Sequence, residues 1–223
     1  MSLPRCLFCE KLRLGSQRGP TNPWDEHIFS TPECVAMPTR GAMVPGWMLV
    51  SPRYHFLSIG AMDERLFAEF DALVEQVVTA VEDTFGPTVL FEHGPACGGH
   101  PIGCGVDHAH LHVVPTSFDL LSQVNTIFPG TLNWTKVCGL SATREAASQG
   151  LSYLYFHSAA VGSVIATHRA FESQLFRRAL ASCLGRPNRY DWRDDPGTST
   201  VHLTVSTLGN WKLASGLFRS PTV

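Results

Sequence analysis

The sequence has little net charge and no long hydrophobic segment. Lysine and arginine number 17 against 19 acidic residues, so the formal net charge is −2 at pH 7. This balance gives no electrostatic basis for binding a nucleic acid polymer or an acidic membrane surface. No stretch approaches the roughly 20 apolar residues of a transmembrane helix, and residues 1–10 lack the apolar core of a signal peptide. We therefore expect a cytoplasmic protein that binds neither membranes nor nucleic acid polymers.

The composition is that of an ordinary globular protein. Hydrophobic residues make up 44% and charged residues 16% of the 223 positions, which is typical of a chain that buries a core. The length suits one large domain or one domain with a substantial extension, and no internal repeat is visible. The seven cysteines cannot all pair within one chain. They favour a reducing compartment, with free thiols or a metal site, over a disulfide framework.

The hydrophobic pattern predicts an antiparallel sheet beside one long helix. Short apolar runs between residues 28 and 50 are separated by proline and glycine, as in neighbouring strands. From Asp63 to Phe85 apolar residues recur every three or four positions, which predicts a helix that Gly86 ends. Residues 153–166 predict a hairpin, and residues 171–184 predict a second helix.

Three histidines alternate in the segment His108-Ala109-His110-Leu111-His112. In a strand, successive side chains point to opposite faces, so the histidines would share one face and the apolar residues the other. The apolar face is typical of a sheet that packs on a helix. A lone histidine is most often structural, but packing does not explain three in a row. Imidazoles in this pattern indicate metal ligation or proton and phosphoryl chemistry.

The pair Cys6-x-x-Cys9 has the spacing by which one chain segment supplies two thiolates to zinc. The alternative is a pair of buried thiols without a metal. A redox role is less favoured, because the pair does not open a helix after a buried strand. A zinc site needs two more ligands, and His55 and His108 at predicted strand ends are candidates.

Two segments are candidates for binding an anion. The glycine-rich loop over residues 94–105 leads into the histidines, and its backbone N–H groups can approach a phosphate closely. The predicted C-terminal helix opens with residues whose N–H groups and side chains suit the same purpose. The alternative for that helix is an ordinary capped start with solvent-facing arginines. The candidate contacts are Gly103, Cys104, Gly105, Ser173, Gln174, Arg177 and Arg178.

Residues 103–115 resemble the signature of the histidine-triad (HIT) superfamily, His-x-His-x-His followed by two apolar residues. Residues 44–55 are similar to the family strand that leads to a Pro-(Lys/Arg)-x-His element, and Cys6-x-x-Cys9 matches the zinc-binding branch. The resemblance implies an α+β half-barrel, with a five-stranded antiparallel sheet and a long helix, that forms a homodimer. Residues 1–125 would form this domain. Residues 126–223 would form a C-terminal α/β extension that packs on it and completes the substrate site.

The resemblance also implies a reaction at the α-phosphate of a small nucleotide conjugate. His110 would be the nucleophile, forming a nucleotidyl-histidine that water hydrolyses. His112 would stabilise charge and assist proton transfer. His108 would join Cys6, Cys9 and His55 around a structural zinc. Related transferases carry glutamine in place of the third histidine, so His112 favours a hydrolase over a nucleotidyltransferase or phosphorylase.

The chain departs from the family pattern at two points. Small members place an acidic residue near the position of Thr39 to hold the ribose hydroxyls, and many have Gln-Ser or Gln-Thr where this chain has Cys104-Gly105. We therefore treat Thr39 as a candidate substrate contact and expect further contacts from the C-terminal extension. Two alternatives stay open. One is a catalytic metal held by the three histidines, and the other is a nucleotide-binding protein without catalysis.

Overall fold

The computed structural model describes residues 6–12, 21–103, 105–168 and 171–216. Its strands are β1 (Phe29–Ser30), β2 (Cys34–Pro38), β3 (Met48–Pro52), β4 (Thr88–Gly94), β5 (Leu111–Pro115), β6 (Thr135–Lys136), β7 (Tyr153–Ser158) and β8 (Gly162–Thr167). Its helices are α1 (Leu7–Leu12), α2 (Glu64–Phe85), α3 (Leu120–Ile127), α4 (Thr143–Ser148), α5 (Leu175–Cys183) and α6 (Thr198–Ala214). Short 3₁₀ helices cover Pro23–Asp25, Ile59–Ala61, Pro101–Gly103 and Leu140–Ala142. The predicted α+β class is confirmed.

The strands form one antiparallel sheet in the order β1-β2-β3-β5-β4-β7-β8-β6. Within the described residues the sheet has eight strands, so it extends beyond the five-stranded sheet that the family resemblance implies. The predicted hairpin is β7–β8, and β7 pairs with β4 from Val89↔Ser158 to Gly94↔Tyr153. The C-terminal segment thus continues the sheet. The division of the chain at residue 125 stays a prediction.

The long helix α2 covers one face of the sheet. Asp63 caps it by accepting a hydrogen bond from the Leu66 N–H at 2.8 Å, and Gly86 follows its last residue with φ +94°. The left-handed φ region favours glycine, which has no Cβ. Phe70 and Val77 of α2 are fully buried in the same core cluster as Ala109, Leu111 and Val113. The predicted packing of the apolar face of the histidine segment against the helix is therefore present.

The opposite face of the sheet is covered by the C-terminal part of the chain. Trp47, which directly precedes β3, and Phe91 of β4 pack with Phe176 and Leu180 of α5 in a second core cluster. The predicted C-terminal helix begins later than expected, at Leu175. Helix α6 packs against α2, where the Trp211 indole donates to the Asp83 carboxylate at 3.2 Å. No helix in the described ranges is long and apolar enough to cross a membrane.

Candidate active site and metal centre

The three histidines straddle the start of β5. The prediction that the strand spans the whole segment from His108 is wrong, because β5 begins at Leu111. The backbone of Ala109 is hydrogen-bonded outside the ladder: its N–H donates to the Phe56 carbonyl at 2.7 Å, and its carbonyl accepts from the Ser51 hydroxyl at 2.8 Å. These bonds satisfy both backbone groups of Ala109 without backbone pairing to a neighbouring strand.

The four predicted metal ligands converge at one point. The donor atoms of Cys6, Cys9, His55 and His108 all lie within 4.8 Å of one another. The Nδ1 of His108 lies 3.5 Å from the Cys6 sulfur and 3.6 Å from the Cys9 sulfur, and the His55 Nδ1 lies 3.4 Å from the Cys9 sulfur. Tetrahedral coordination with ordinary zinc–ligand bond lengths separates neighbouring sulfur and nitrogen atoms by about 3.5 Å. This set of residues can therefore hold a metal ion.

A hydrogen bond at the other nitrogen of His108 fixes the tautomer that suits metal binding at Nδ1. The Nε2 of His108 lies 2.8 Å from the Pro52 carbonyl. A carbonyl oxygen only accepts, so Nε2 carries the proton and Nδ1 keeps the lone pair that a metal needs. Among the described residues, His110 and His112 belong to no cluster of potential metal ligands. The arrangement favours the four-ligand site over a metal held by the three histidines.

A pocket opens beside His110 and His112. It lies between helix α1, the end of β2, the start of β5 and the loop after α5. Its walls are apolar, with cations and one acidic side chain among them. The lining residues are Leu7, Phe8, Lys11, Trp24, Asp25, Met37, Pro38, Thr39, Arg40, Leu49, Val106, His110, His112, Arg177 and Trp192.

The tautomer of His110 is defined by one hydrogen bond. Its Nδ1 lies 2.7 Å from the carbonyl of His108, so Nδ1 carries the proton and Nε2 keeps a lone pair. Burial lowers the pKa of His110, the His108 carbonyl opposes that shift, and the charge of Arg177 adds to it. The imidazole is therefore neutral at pH 7, which is the form that can act as a nucleophile.

His112 carries its proton on the other nitrogen. The Trp47 indole N–H, which can only donate, lies 3.0 Å from the His112 Nδ1. The neutral ring therefore bears hydrogen on Nε2, which is buried and has no hydrogen-bond partner among the described residues. Burial lowers the pKa of His112 well below its usual value, and His110, His93 and Arg177 contribute in the same direction. His112 thus offers a neutral donor beside His110, whose ring centroid lies 5.0 Å away.

Arg177 brings a positive charge from α5 to the histidines. The residue is 2% exposed, and its Nε donates to the Tyr190 carbonyl at 2.8 Å while Nη2 donates to the Gly41 carbonyl. Its guanidinium carbon lies 4.7 Å from the centre of the Trp47 ring, within range of a cation–π interaction. Of the anion contacts predicted in the C-terminal segment, it is the one that lines the pocket.

The other predicted substrate contacts lie elsewhere. Arg178 forms an ion pair with Glu172, and Gln174 is buried with a hydrogen bond to Asp191. At Gly105, with φ +77°, an added Cβ would collide with the Arg193 guanidinium. Cys104 lies outside the described residues. Within the described ranges, the predicted contacts that do not line the pocket are Gly103, Gly105, Ser173, Gln174 and Arg178, and their roles stay predictions.

Several functional side chains escaped the sequence analysis. His93 of β4 forms a fourth imidazole of the cluster, with its ring centroid 6.2 Å from that of His112. Burial lowers the pKa of His93 to about 3, helped by His110 and Arg177. The pocket residues Trp24, Arg40 and Trp192 come from segments far apart in the chain, namely a short 3₁₀ helix and two loops. Their residue types could have indicated them in the sequence, because aromatic and cationic side chains in connecting segments are typical of binding sites.

A family model described as the HIT domain matches residues 22–119 of this chain. The matched segment contains His55 and all three histidines of the triad segment, so the similarity to the HIT domain covers the predicted reactive histidines. The zinc-binding branch is a finer assignment that stays a prediction.

The fold is similar to several solved structures. One is a hypothetical histidine triad nucleotide-binding protein from Sulfolobus tokodaii, 14% identical, with a TM-score of 0.44 over 96% of this chain and 99% of that one. Another is a HIT family hydrolase from Clostridium thermocellum, 17% identical, with a TM-score of 0.38 over 59% and 100%. A HIT family member from Bacillus subtilis is 16% identical, with a TM-score of 0.41 over 66% and 95%. No curated protein matches the sequence.

Proposed function

We propose that this protein hydrolyses a nucleotide conjugate at its α-phosphate through a nucleotidyl-His110 intermediate. The observation that carries the proposal is the 2.7 Å contact between His110 Nδ1 and the His108 carbonyl. This contact leaves a lone pair on Nε2 of a neutral imidazole that lines the pocket. The HIT domain over residues 22–119 supports the same reaction class.

In the first step, the Nε2 of His110 bonds to the α-phosphorus and the bond from phosphorus to the leaving group breaks. The ring then carries a positive charge, which the His108 carbonyl stabilises at Nδ1. The Nε2–H of His112 donates to the phosphate or leaving-group oxygen as negative charge grows there. Water next attacks the phosphorus and gives up a proton to the solvent or to the departed leaving group. The N–P bond breaks, its electron pair returns to the His110 Nε2, and a nucleoside monophosphate is released.

The pocket walls suit the two ends of a nucleotide. The apolar side chains of Phe8, Met37 and Leu49 would contact the base, and Thr39 would contact the ribose. The buried cation of Arg177 would stabilise the negative charge of the reacting phosphate, because electrostatic attraction is strong where water is excluded. Transfer to another acceptor would use the same first step and would differ only in what attacks the intermediate.

We infer that the cluster of Cys6, Cys9, His55 and His108 holds a structural zinc. Four protein ligands leave no open coordination position, so this ion would order the chain and not activate water. Helix α1 carries Cys9 and also supplies Leu7, Phe8 and Lys11 to the pocket wall. Metal binding would therefore fix one wall of the substrate site. The homodimer and the cytoplasmic location stay predictions.

The experiment is to trap the intermediate by mass spectrometry. The protein is mixed with a panel of nucleoside monophosphate conjugates, quenched in alkali, digested, and searched for a nucleotide adduct. We expect the adduct on the peptide containing His110, and none in His110→Ala, whose metal content and fold should persist. The control is His202→Ala, an exposed histidine on α6, which should form the adduct normally. Full turnover by His110→Ala would contradict the covalent mechanism.

A further inference from the structure

The pocket contains an arginine held between two tryptophan rings. The guanidinium carbon of Arg40 lies 5.4 Å from the centre of the Trp24 ring and 5.4 Å from the centre of the Trp192 ring. Trp24 lies in the 3₁₀ helix Pro23–Asp25, Arg40 follows β2, and Trp192 lies in the loop after α5. Three distant parts of the chain therefore combine to hold one exposed cation at the pocket.

The charge of Arg40 is not matched by the protein. Its guanidinium has no hydrogen bond or ion pair to any described residue, and its contacts are the two indole rings. Neighbouring cations differ in this respect: Lys11 pairs with Asp25, and Arg193 pairs with Asp191 at 3.1 Å. Arg40 is thus the pocket cation whose N–H donors are left for a ligand.

The geometry also selects the kind of ligand. Cation–π contacts with the two rings do not use the N–H donors of the guanidinium, whose fork of parallel N–H groups fits phosphate oxygens. Holding the side chain between two rings also reduces the conformational entropy that binding would cost. An oxyanion with several acceptor oxygens is therefore the chemical complement of this arrangement.

We propose that Arg40, held between Trp24 and Trp192, binds a second phosphate of the substrate, separate from the α-phosphate at His110. This inference rests on the proposed function of the same pocket, and it narrows the substrate to nucleotide conjugates with at least two phosphate groups. The second phosphate has two possible sources. It belongs either to the leaving group, joined to the α-phosphate, or to the ribose.

The test compares three probes that differ by one phosphate. They are the p-nitrophenyl ester of a nucleoside 5′-monophosphate, the β-p-nitrophenyl ester of the 5′-diphosphate, and the first ester with an added 3′-phosphate, each made with the four RNA bases. Binding is measured by calorimetry and kcat/KM by release of the nucleotide. The variants are Arg40→Gln and a matched control, Arg65→Gln, whose side chain is exposed on α2.

We expect Arg40→Gln to weaken one doubly phosphorylated probe about 10- to 100-fold more than the singly phosphorylated ester, as for the loss of a charge-assisted hydrogen bond. Arg65→Gln should change none of the ratios. Loss on the diphosphate ester assigns the phosphate to the leaving group, and loss on the 3′-phosphate probe assigns it to the ribose. An equal effect on all probes, no effect, or no binding of either doubly phosphorylated probe by the wild type would overturn the proposal.

The same data separate this proposal from the proposed function. If Arg40→Gln changes the binding ratio but no probe is cleaved and no adduct forms on His110, the hydrolase mechanism fails while the second phosphate site stands. If the adduct forms and the binding ratio is unchanged, the mechanism stands and the Arg40 site fails.

Discussion

Replacing Trp47 by phenylalanine tests whether the indole N–H orients His112 for catalysis. Trp47, which directly precedes β3, is fully buried, and its Nε1 donates to the His112 Nδ1 at 3.0 Å. Phenylalanine fills part of the same space and has no N–H group. The substitution therefore removes the bond that assigns the proton to His112 Nε2, and it leaves His110 and its bond to the His108 carbonyl in place.

The size of the effect follows from two contributions. Leaving the buried Nδ1 without its donor costs about 1–3 kcal/mol. The smaller ring leaves a cavity and loses contacts, at roughly 1–2 kcal/mol for a partial truncation at a fully buried site. The free energy of unfolding should fall by about 2–5 kcal/mol. If half of the roughly 1–3 kcal/mol lost with the hydrogen bond appears in the activation barrier, kcat falls about 2- to 13-fold.

The assay is urea unfolding combined with pre-steady-state turnover of a conjugate that the wild type cleaves. Trp134→Phe is the matched control, since it also removes an indole hydrogen bond, to Asn125 at 2.9 Å, but at a partly buried site with an exposed partner. We expect the control to retain full kcat. For Trp47→Phe we expect slower formation and hydrolysis of the adduct with the burst amplitude retained. An unchanged kcat in folded Trp47→Phe would refute the role of the indole N–H in orienting His112.

Three further substitutions test the metal site, the core and the pocket. Cys6→Ser should lose bound zinc, measured by elemental analysis, and should melt at a lower temperature, whereas His110→Ala should keep its zinc; the opposite pattern would favour a metal held by the triad. Burial raises the pKa of Glu92 from 4.5 to about 8. Because the folded-state pKa is the higher one, the stability of the wild type relative to Glu92→Gln should be constant below pH 4.5, fall as the pH rises to about 8, and level off above it. Urea unfolding of both proteins between pH 4 and 9 measures this difference. A difference in unfolding free energy that does not change with pH would contradict the prediction. Gly41→Ala should destabilise the protein and reduce turnover, because φ is +73° and the added Cβ would lie 2.6 Å from the Trp192 backbone; wild-type stability would show that the loop adjusts freely.

Much of the reactive centre was predictable because its signals are local. The alternation of histidines with Ala109 and Leu111 predicted the side that packs on the helix, since alternation depends only on an extended backbone. The helix from Asp63 to Phe85 was predictable from its period and its cap. The start of β5 was not, because it depends on hydrogen bonds that Ala109 makes with Phe56 and Ser51. Those partners are decided by the folded chain.

The sequence by itself determined the α+β class, the HIT signature and the identity of four residues that can hold a metal. Each of these depends on residue types at short spacings or on a pattern shared with a family. Only the tertiary structure decided which cations face the pocket. Arg177 and Arg178 are adjacent in the sequence, yet one is buried beside the histidines and the other pairs with Glu172. Arg40 likewise gains its environment from Trp24 and Trp192, which the fold brings together from distant segments of the chain. The physical reason is that a site's charge and desolvation depend on long-range packing, which no local pattern encodes.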